Sequence, residues 1–419
     1  MGRTARIAVV ATPFGFGPAS KAHAITQVLT GRYGMRVQYY GAGSAGDFFD
    51  AQGGARARPI GVQALEREPG LLAGYDAILN VLAPELIRSP ETAGMTYYVD
   101  SLGFMWQPAD IAAGSLLRRV RGYFAQDVFG SAAHLTALGV PGVRAVSGIV
   151  APPALPAPPT RTAPPTHTTP ATPATPPVPS SPPDPAGPPT GRASEGGAPA
   201  RARTRAPARV LAHLGGLGNP AGNGSAHAYL PLVRQLLGGL RRDDYELTVA
   251  MNQAGDTFRL AAGTAVRHLS GTDFQQALAD CATVLSSPGL TTLIEASQAG
   301  RPYVPLPPQN WSQVVICEHM SRHSGQAVWP FLAERYRAID VRAAEAAKAA
   351  AVREVNRDLA VDAEFVREYG LLARRAVREG EVPAVGAPFR GAAEVAAAVA
   401  ADLGVSAGAG YLSMNAGAR

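Results

Sequence analysis

The sequence contains little cysteine and little charge. Its two cysteines, Cys281 and Cys317, cannot build a disulfide framework or a zinc site, so we expect a reducing, cytoplasmic location. Charged residues make up 17% of the chain, which is below the usual quarter. No apolar run reaches the roughly 18 residues that a membrane-spanning helix needs. Stable membrane insertion is therefore not expected.

Basic charge is concentrated in one segment. The formal net charge is +6, but residues 151–208 alone carry five arginines against one aspartate and one glutamate, a net charge of +3. Elsewhere the sequence has no stripe of lysine and arginine with interleaved aromatic residues. Because nucleic-acid binding depends on such a surface, a nucleic-acid partner is not expected.

The same segment, residues 151–208, holds 19 of the 37 prolines, together with many alanines and threonines. A segment of this composition has almost nothing to bury and cannot offset the entropy lost on ordering. Since the composition is repetitive, we predict a disordered, polyproline-like linker in preference to a recognition motif. It would separate an N-terminal domain, 1–150, from a C-terminal domain, 209–400, which is followed by a tail at 401–419.

Short β-branched runs alternate with helical periods on both sides of this linker. Near-continuous apolar strands followed by helices are typical of parallel sheets covered on both faces. Two such arrays predict an α/β fold with two Rossmann-like domains facing across a cleft. The predicted strands are 5–13, 36–42, 76–82, 95–102, 122–129 and 143–150 in the first domain, and 209–214, 246–252, 265–270, 283–287 and 303–307 in the second.

Helical predictions accompany these strands, including 226–240, 273–281, 291–300 and 310–322 in the second domain. Residues 20–33 and 109–120 have the apolar period of helices in the first domain. Residues 341–400, which are rich in alanine, arginine and glutamate, predict closing helices packed on the second domain.

The segment SSPGLTTLIEASQAG, residues 286–300, predicts an anion site. A strand ends, Pro-Gly makes a turn, and a helix begins at Thr291 and Thr292, where free backbone N–H groups and two hydroxyls can bind phosphate. Glu295, one turn further on, can accept hydrogen bonds from two ribose hydroxyls. The alternative is that Gly289 and the threonines merely cap a helix.

The loop PPQNWSQ, which follows the next predicted strand, supplies amide side chains. Gln309, Asn310 and Gln313 can both donate and accept hydrogen bonds, which suits a polyhydroxylated sugar. Together with the preceding turn and helix, this loop orders diphosphate, ribose and sugar at the carboxyl ends of parallel strands, where open α/β sheets bind ligands.

The order strand, Pro-Gly turn, helix, Glu, Pro and Gln resembles the donor half of GT-B glycosyltransferases of the MurG and UDP-glycosyltransferase type. The resemblance implies that the turn in HLGGLGNPAG contacts the diphosphate, that VRHLSGTDF reads the uracil base and that TPFGFGPASKAH faces the acceptor. The residues thereby implicated are Gly215, Gly216 and Asn219 at the diphosphate, His268 and Leu269 at the base, and Gly15, Gly17 and Lys21 beside the acceptor or an anion.

The general base departs from the pattern of this family. Many relatives carry a histidine in the first loop where this sequence has Pro18, and His23, about a turn and a half further along a helix, has a packing role as its simpler interpretation. Asp100, at the end of an apolar strand, is the preferred base, because partial burial raises a carboxyl pKa; it could instead cap a turn. Asp127 is the second candidate. Trp106 could stack on a planar acceptor or belong to an apolar core.

The resemblance implies transfer of a sugar from a UDP-sugar with inversion. The sequence contains no Asp-x-Asp motif, so neither a divalent metal ion nor another cofactor is expected. The segments GFGPASKAH and YVDSLGFMW are similar to cytosylglucuronate synthases of nucleoside-antibiotic biosynthesis. This similarity implies UDP-glucuronate as the donor and N1 of cytosine as the acceptor. A uronate donor would need a basic partner for its carboxylate, for which Lys21 is a candidate.

Other interpretations remain open from the sequence. The acceptor could be a different natural product or a lipid, and the chain could be a UDP-sugar epimerase or a non-catalytic nucleotide-sugar binder. An epimerase needs several acidic residues and a histidine around the sugar, in which the predicted cleft is poor. A dinucleotide-dependent dehydrogenase is not expected, because GFGPAS has Ser20 where the third glycine of the dinucleotide fingerprint belongs.

Overall fold

The computed structural model describes residues 4–52, 57–111, 116–151, 208–218, 225–240, 245–251, 264–269 and 271–408. The predicted linker, apart from its two end residues, lies outside these ranges. Both lobes described below belong to one compact unit of the chain. None of the helices within the described ranges combines the length and the apolar character needed to cross a membrane.

The N-terminal lobe is a parallel sheet with helices on its faces. Its strands are β1 (Arg6–Ala11), β2 (Arg36–Tyr40), β3 (Ala77–Val81), β4 (Thr96–Asp100), β5 (Gly122–Gln126) and β6 (Val143–Val146), and they are ordered β2-β1-β3-β4-β5-β6. Every residue of β3, β4 and β5 is buried, as expected for strands covered on both faces. Its α-helices are α1 (Gly17–Tyr33), α2 (Ser44–Ala51), α3 (Val62–Arg67), α4 (Pro90–Ala93) and α5 (Ser131–Ala137).

The C-terminal lobe repeats this plan with five parallel strands. They are β7 (Ala208–Leu214), β8 (Tyr245–Met251), β9 (Ala265–His268), β10 (Thr283–Ser286) and β11 (Tyr303–Pro305), in the order β11-β10-β7-β8-β9. The helices that follow β7 in the chain are α6 (Ser225–Leu240), α7 (Gly271–Asp280), α8 (Leu290–Gln298), α9 (Trp311–His323), α10 (Val328–Tyr336), α11 (Glu345–Val361), α12 (Ala363–Glu379) and α13 (Gly391–Asp402).

All eleven predicted strands are present, and they form two Rossmann-like sheets, so the predicted α/β fold is confirmed. The helix predicted at 109–120 is wrong. That stretch instead contains two short 3-10 helices, Pro108–Ile111 and Leu116–Arg119, while residues 112–115 lie outside the described ranges. The sequence AAGS between them contains a Gly-Ser pair, which disfavours a continuous helix.

The last helix corrects the predicted placement of residues 341–400. Helices α11 and α12 pack on α6 of the C-terminal lobe as predicted, but α13 packs on α1 of the N-terminal lobe. Its alanine and valine face joins the N-terminal apolar core, where Val395 and Val399 are fully buried. At its carboxyl end, Asp402 accepts hydrogen bonds from Tyr97 and Arg121. Composition favours a helix here but does not specify which sheet it covers.

The chain crosses between the lobes twice, and the two crossings touch. Gly148 donates its backbone N–H to Gly386 at 2.7 Å, and Gly391 donates to the carbonyl of Gly148 at 3.2 Å. Glu394 also accepts the backbone N–H of Ser147 at 2.8 Å. A Cβ on Gly391 would lie 2.1 Å from the Ser147 carbonyl oxygen, so glycine is needed for this close approach.

Candidate functional site

A cavity of about 1120 Å³ lies between the two lobes, and its lining comes from both. This volume slightly exceeds the usual range for small-molecule sites and is large enough for two substrates. The structure brings most of the predicted site residues to it. Those that line the cavity are Gly15, Gly17, Lys21, His23, Asp100, Trp106, Gly215, Leu269, Gly289, Thr291, Thr292, Glu295, Gln309, Asn310 and Gln313.

The amino end of α8 opens onto this cavity. Gly289 is extended at the N-cap and makes no side-chain cap, and the first intrahelical bond runs from Leu293 N–H to its carbonyl at 3.0 Å. The backbone N–H groups of Leu290, Thr291 and Thr292 therefore have no intrahelical acceptor. Such groups, together with the positive end of the helix dipole, attract an anion.

The amino end of α1 meets the amino end of α8 in the same place. A Cβ on Gly17 would lie 2.8 Å from Oγ1 of Thr291, so a residue larger than glycine would collide with α8. The N-cap of α1, Phe16, makes no side-chain cap. Two helix amino ends thus converge on one side of the cavity, which strengthens the positive potential there.

Lys21 supplies a charge between these helix ends. Its side chain is 2% exposed, and its Nζ donates to Oγ1 of Thr291. Burial lowers the pKa of Lys21 to about 8, while the negative charge of Glu295 opposes this shift. At neutral pH most of the molecules therefore hold a buried ammonium group at the amino end of α8.

Glu295 lies one helical turn beyond Thr291. Burial raises the pKa of Glu295 to about 7, against the opposing effects of Lys21 and of a hydrogen bond from Gln275 Nε2 at 2.8 Å. Gln275 holds only Oε1, so the second carboxylate oxygen can accept hydrogen bonds from a ligand. Gln275 also lines the cavity and was missed in the sequence.

The amides of the PPQNWSQ loop shape that loop and also offer donors. Asn310 caps α9 by accepting from Gln313 N–H at 3.1 Å, and Gln313 Oε1 accepts the backbone N–H of Gln309 at 2.7 Å. Gln309 Nε2 donates to Ser287 Oγ at 2.9 Å. Within the described residues, the amide nitrogens of Asn310 and Gln313 have no hydrogen-bond acceptor, so they remain able to donate to a hydroxylated ligand.

Asp100 is fully buried at the carboxyl end of β4. Its Oδ1 accepts from Leu102 N–H at 2.7 Å, and its Oδ2 accepts from Trp106 Nε1 at 2.6 Å and from the hydroxyl of Tyr123. Burial raises the pKa of Asp100, and the three hydrogen bonds oppose this shift. A carboxylate has about four acceptor positions, so one position on Oδ1 is unused by these bonds.

The other candidate bases are less well placed. His23 lines the cavity, but its ring nitrogens contact Tyr39 Oη at 3.3 Å and Gln27 Nε2 at 3.0 Å, and burial lowers its pKa. Asp127 is exposed, does not line the cavity and accepts the backbone N–H of Ala132 at 3.2 Å, near the start of α5. The structure therefore does not support Asp127 as a base.

The structure brings to the cavity only some of the residues predicted to contact the uracil base or to form the glycine turn. Leu269 and Gly215 line the cavity, whereas His268 is exposed at the end of β9. The surroundings of Gly216 and all of Asn219 lie outside what the structure describes. The support for these two segments therefore rests on one residue from each.

Aromatic residues of the first lobe form a wall that the sequence analysis found only in part. Besides Trp106, the lining includes Phe14, Phe16 and Phe48. The Phe16 and Phe48 rings pack with centroids 5.8 Å apart. A wall of this kind offers stacking surface to a flat ligand. Phe48 belongs to an amphipathic helix, and sequence alone does not distinguish a cavity-facing residue from a core residue there.

Several solved structures are similar to this chain. The S. aureus MnaA–UDP co-structure matches with a TM-score of 0.50 and 10% identity, covering 96% of this chain and 97% of that chain. SnogD, a glycosyltransferase from Streptomyces nogalater, matches with a TM-score of 0.41 and 17% identity over 96% and 100% of the two chains. Medicago truncatula UGT71G1 complexed with UDP-glucose gives 0.45 and 9% over 94% and 98%.

The first of these matches, at a TM-score of 0.50, agrees with the fold of two Rossmann-like lobes and shows nothing finer. No protein-family model matches the sequence, and no curated protein matches it significantly.

Proposed function

We propose that this protein is an inverting glycosyltransferase that transfers a sugar from a UDP-sugar to a small acceptor. The observation that carries the proposal is the convergence of two helix amino ends on a buried lysine, Lys21, beside a buried glutamate, Glu295, in one cavity. The helix ends and the ammonium group suit a diphosphate. The carboxylate suits the two hydroxyls of a ribose.

The donor sugar would lie near the PPQNWSQ loop, where Asn310 and Gln313 can donate to its hydroxyls. We further propose a glucuronosyl donor, which needs a cation for its carboxylate. Arg353 on α11 lines the cavity, is half-buried and makes no ion pair within the described residues. It suits this role better than Lys21, which the proposal assigns to the diphosphate.

The N-terminal lobe lines the side of the cavity that we assign to the acceptor. This side favours a flat molecule without negative charge. Its wall is aromatic, and Asp47 and Glu85 line it without an ion-pair partner in the described part of the chain. Lys21, the lysine on this side of the cavity, donates to Thr291 at the start of α8. An anionic acceptor would therefore meet repulsion. The N1 position of cytosine, next to Asp100 and Trp106, is the specific acceptor that we propose.

The chemical step would be a single displacement at the anomeric carbon. The acceptor nitrogen attacks this carbon while Asp100 takes the proton from that nitrogen. The bond from the anomeric carbon to the β-phosphate oxygen breaks, and UDP leaves with the bonding electrons. Lys21 and the N–H groups at the start of α8 stabilise the negative charge that develops on the leaving oxygen. Proton removal of this kind contributes roughly 10²–10⁴-fold.

The experiment that tests this proposal follows UDP release from a panel of UDP-sugars, with and without cytosine and with and without EDTA. We expect UDP release that requires an acceptor, is fastest with UDP-glucuronate and persists in EDTA. A new UDP-sugar formed without acceptor would identify an epimerase instead. Tight UDP binding without turnover on any acceptor would identify a binding protein. Absence of UDP binding by calorimetry would refute the donor site altogether.

A further inference from the structure

His213 occupies the cavity without a role in the reaction described above. It is the penultimate residue of β7 and lines the cavity together with Gly215, Ser286 and Thr292. In the sequence this histidine stands inside an apolar strand, where it is indistinguishable from a core residue. The structure places it at the carboxyl edge of the sheet, directly against the amino end of α8.

The hydrogen bonds of His213 assign its tautomer. Its Nδ1 lies 3.1 Å from Thr292 Oγ1 and 3.5 Å from Ser286 Oγ. The Ser286 hydroxyl donates to the backbone carbonyl of His213 at 3.1 Å, so its proton is already committed. The Thr292 hydroxyl has no other hydrogen-bond acceptor within the described residues, so we assign its proton to the bond with Nδ1. A neutral imidazole that accepts at Nδ1 carries its proton on Nε2.

The ring is also uncharged and fixed in place. Burial lowers the pKa of His213 to about 4, so the imidazole is neutral throughout the physiological range. Phe274 packs against it with ring centroids 4.5 Å apart. The orientation of the ring is thus set on one side by Thr292 and on another by Phe274, and a side chain held in this way donates without reorganisation.

The Nε2 edge faces the glycine turn. A Cβ on Gly215 would lie 2.5 Å from Nε2, so glycine is the residue that leaves this edge uncovered. Within the described residues, Nε2 has no hydrogen-bond acceptor. The donor therefore points to the place where the turn after β7 and the amino end of α8 come together, which is where the proposed diphosphate binds.

We infer that His213 is a diphosphate-binding residue, with Nε2–H donating to a phosphate oxygen of the nucleotide while Nδ1 orients the Thr292 hydroxyl. This inference rests on the proposed function, because it takes the diphosphate to lie at the start of α8. It adds a neutral donor to the charged one, Lys21. The neutral imidazole of His213 keeps its Nε2–H both below and above pH 7. Lys21, with a pKa of about 8, loses its charge as the pH rises.

Two substitutions at His213 separate its two nitrogens. The amide of His213→Asn replaces Nδ1 and loses the donor at Nε2, whereas the amide of His213→Gln reaches the Nε2 position and loses the bond to Thr292. We expect His213→Asn to weaken UDP binding about tenfold or more and to leave uridine binding unchanged. We expect His213→Gln to keep UDP affinity within about threefold. The matched control is His323→Asn, at an exposed residue near the end of α9.

Calorimetry with UDP and with uridine decides between the outcomes. Unchanged UDP affinity in His213→Asn, or an equal loss for UDP and uridine, would overturn the inference, since the second result marks a structural role. Failure of the wild-type protein to bind UDP would instead refute the proposed function. If the variants do not fold, nitrogen-15 NMR of the wild type gives the answer: the Nε2–H resonance should shift with UDP and not with uridine. A resonance unmoved by UDP would refute the role.

Discussion

Lys21 in α1 donates a hydrogen bond to Thr291 in the first turn of α8, and this contact joins the two lobes inside the cavity. The residues are 270 positions apart in the chain, so no local sequence pattern predicts their contact. The lysine is buried, and a buried ammonium group is costly unless it is paired and hydrogen-bonded. A diphosphate at this place would add its negative charge to that of Glu295, which already acts on the lysine.

The pH dependence of UDP binding should report on Lys21. Since burial lowers its pKa to about 8, the ammonium form that attracts a diphosphate is lost as pH rises through that value. We therefore expect UDP affinity, measured by calorimetry from pH 7 to pH 9.5, to fall across the range. Lys21→Met should bind UDP about tenfold or more weakly at pH 7 and should lose the decline centred near pH 8, so that Glu295, with its pKa of about 7, governs any remaining dependence on pH.

The remaining lysine of the chain, Lys348, provides the control for this experiment. It pairs with Glu345 and does not line the cavity, so Lys348→Met should keep the pH profile of the wild type. A wild-type profile without any decline above pH 8 would show that Lys21 does not contact the anion.

Glu295 should act on the nucleoside part of the donor. Glu295→Ala removes the acceptor for the ribose hydroxyls, so we expect weaker binding of uridine and of UDP and little change for inorganic pyrophosphate. The loss for each nucleotide should be about tenfold, the usual effect of hydrogen bonds to a charged group. Competition calorimetry with the three ligands measures it. A selective loss of pyrophosphate would place the diphosphate, not the ribose, at this residue.

Asp100 should act on turnover. We expect Asp100→Asn to lower kcat by about 10²–10⁴-fold with little change in the KM for the donor, since a general base contributes on this scale. Asp127→Asn is the matched control, because Asp127 lies outside the cavity, and its kcat should be unchanged. If Asp100→Asn retained the wild-type kcat, another group would have to remove the proton.

A second variant tests the role of Asp100 without changing Asp100 itself. Tyr123 donates to Asp100 and thereby opposes the rise in its pKa. Tyr123→Phe removes that bond, so the pKa of Asp100 rises and the acidic limb of the kcat profile should move to higher pH. An unmoved limb would mean that Asp100 does not govern it.

The contact between the chain crossings should be intolerant of a methyl group. A Cβ on Gly391 would meet the Ser147 carbonyl, whereas a Cβ on Gly238, an exposed position in α6, would meet no atom within 4 Å. We expect Gly391→Ala to lower the free energy of unfolding by about 1–3 kcal/mol. Gly238→Ala should raise it by about 0.4–1 kcal/mol. Chemical denaturation of both variants checks the difference, and equal effects would contradict the role of the crossing.

The sheets were predictable because their signals are local. Each strand is a short apolar run bounded by turn residues, and each of the eleven lies in the sheet expected for it. Helix α13 shows where this information ends. Its alanine and valine face identifies a buried helix, but either sheet could have covered it. Only tertiary contacts, such as those of Asp402 with Tyr97 and Arg121, select the N-terminal lobe.

The site was predictable where residues share a turn or a loop, as in the segment from Gly289 to Glu295. It was not predictable where lobes or strands meet. Asp100 pairs in register with Ala125, so Asp127 lies two residues beyond that partner and turns toward α5 instead of the cavity. His213 escaped notice for a related reason, since a lone polar residue at the end of an apolar strand gives no sign of what the neighbouring helix presents to it.

The touching backbones at Gly148 and Gly386 restrict how this molecule can open. Gly148 follows the last strand of the first sheet and Gly386 precedes α13, and their hydrogen bond ties the two connections together, so a motion of the lobes that preserves this bond would turn about it. Lys21 belongs to the N-terminal lobe and Thr291 to the C-terminal lobe, so such a motion would change the distance between them. The same motion would separate His319 of the C-terminal lobe from Phe129 of the N-terminal lobe, whose rings stack with centroids 4.7 Å apart.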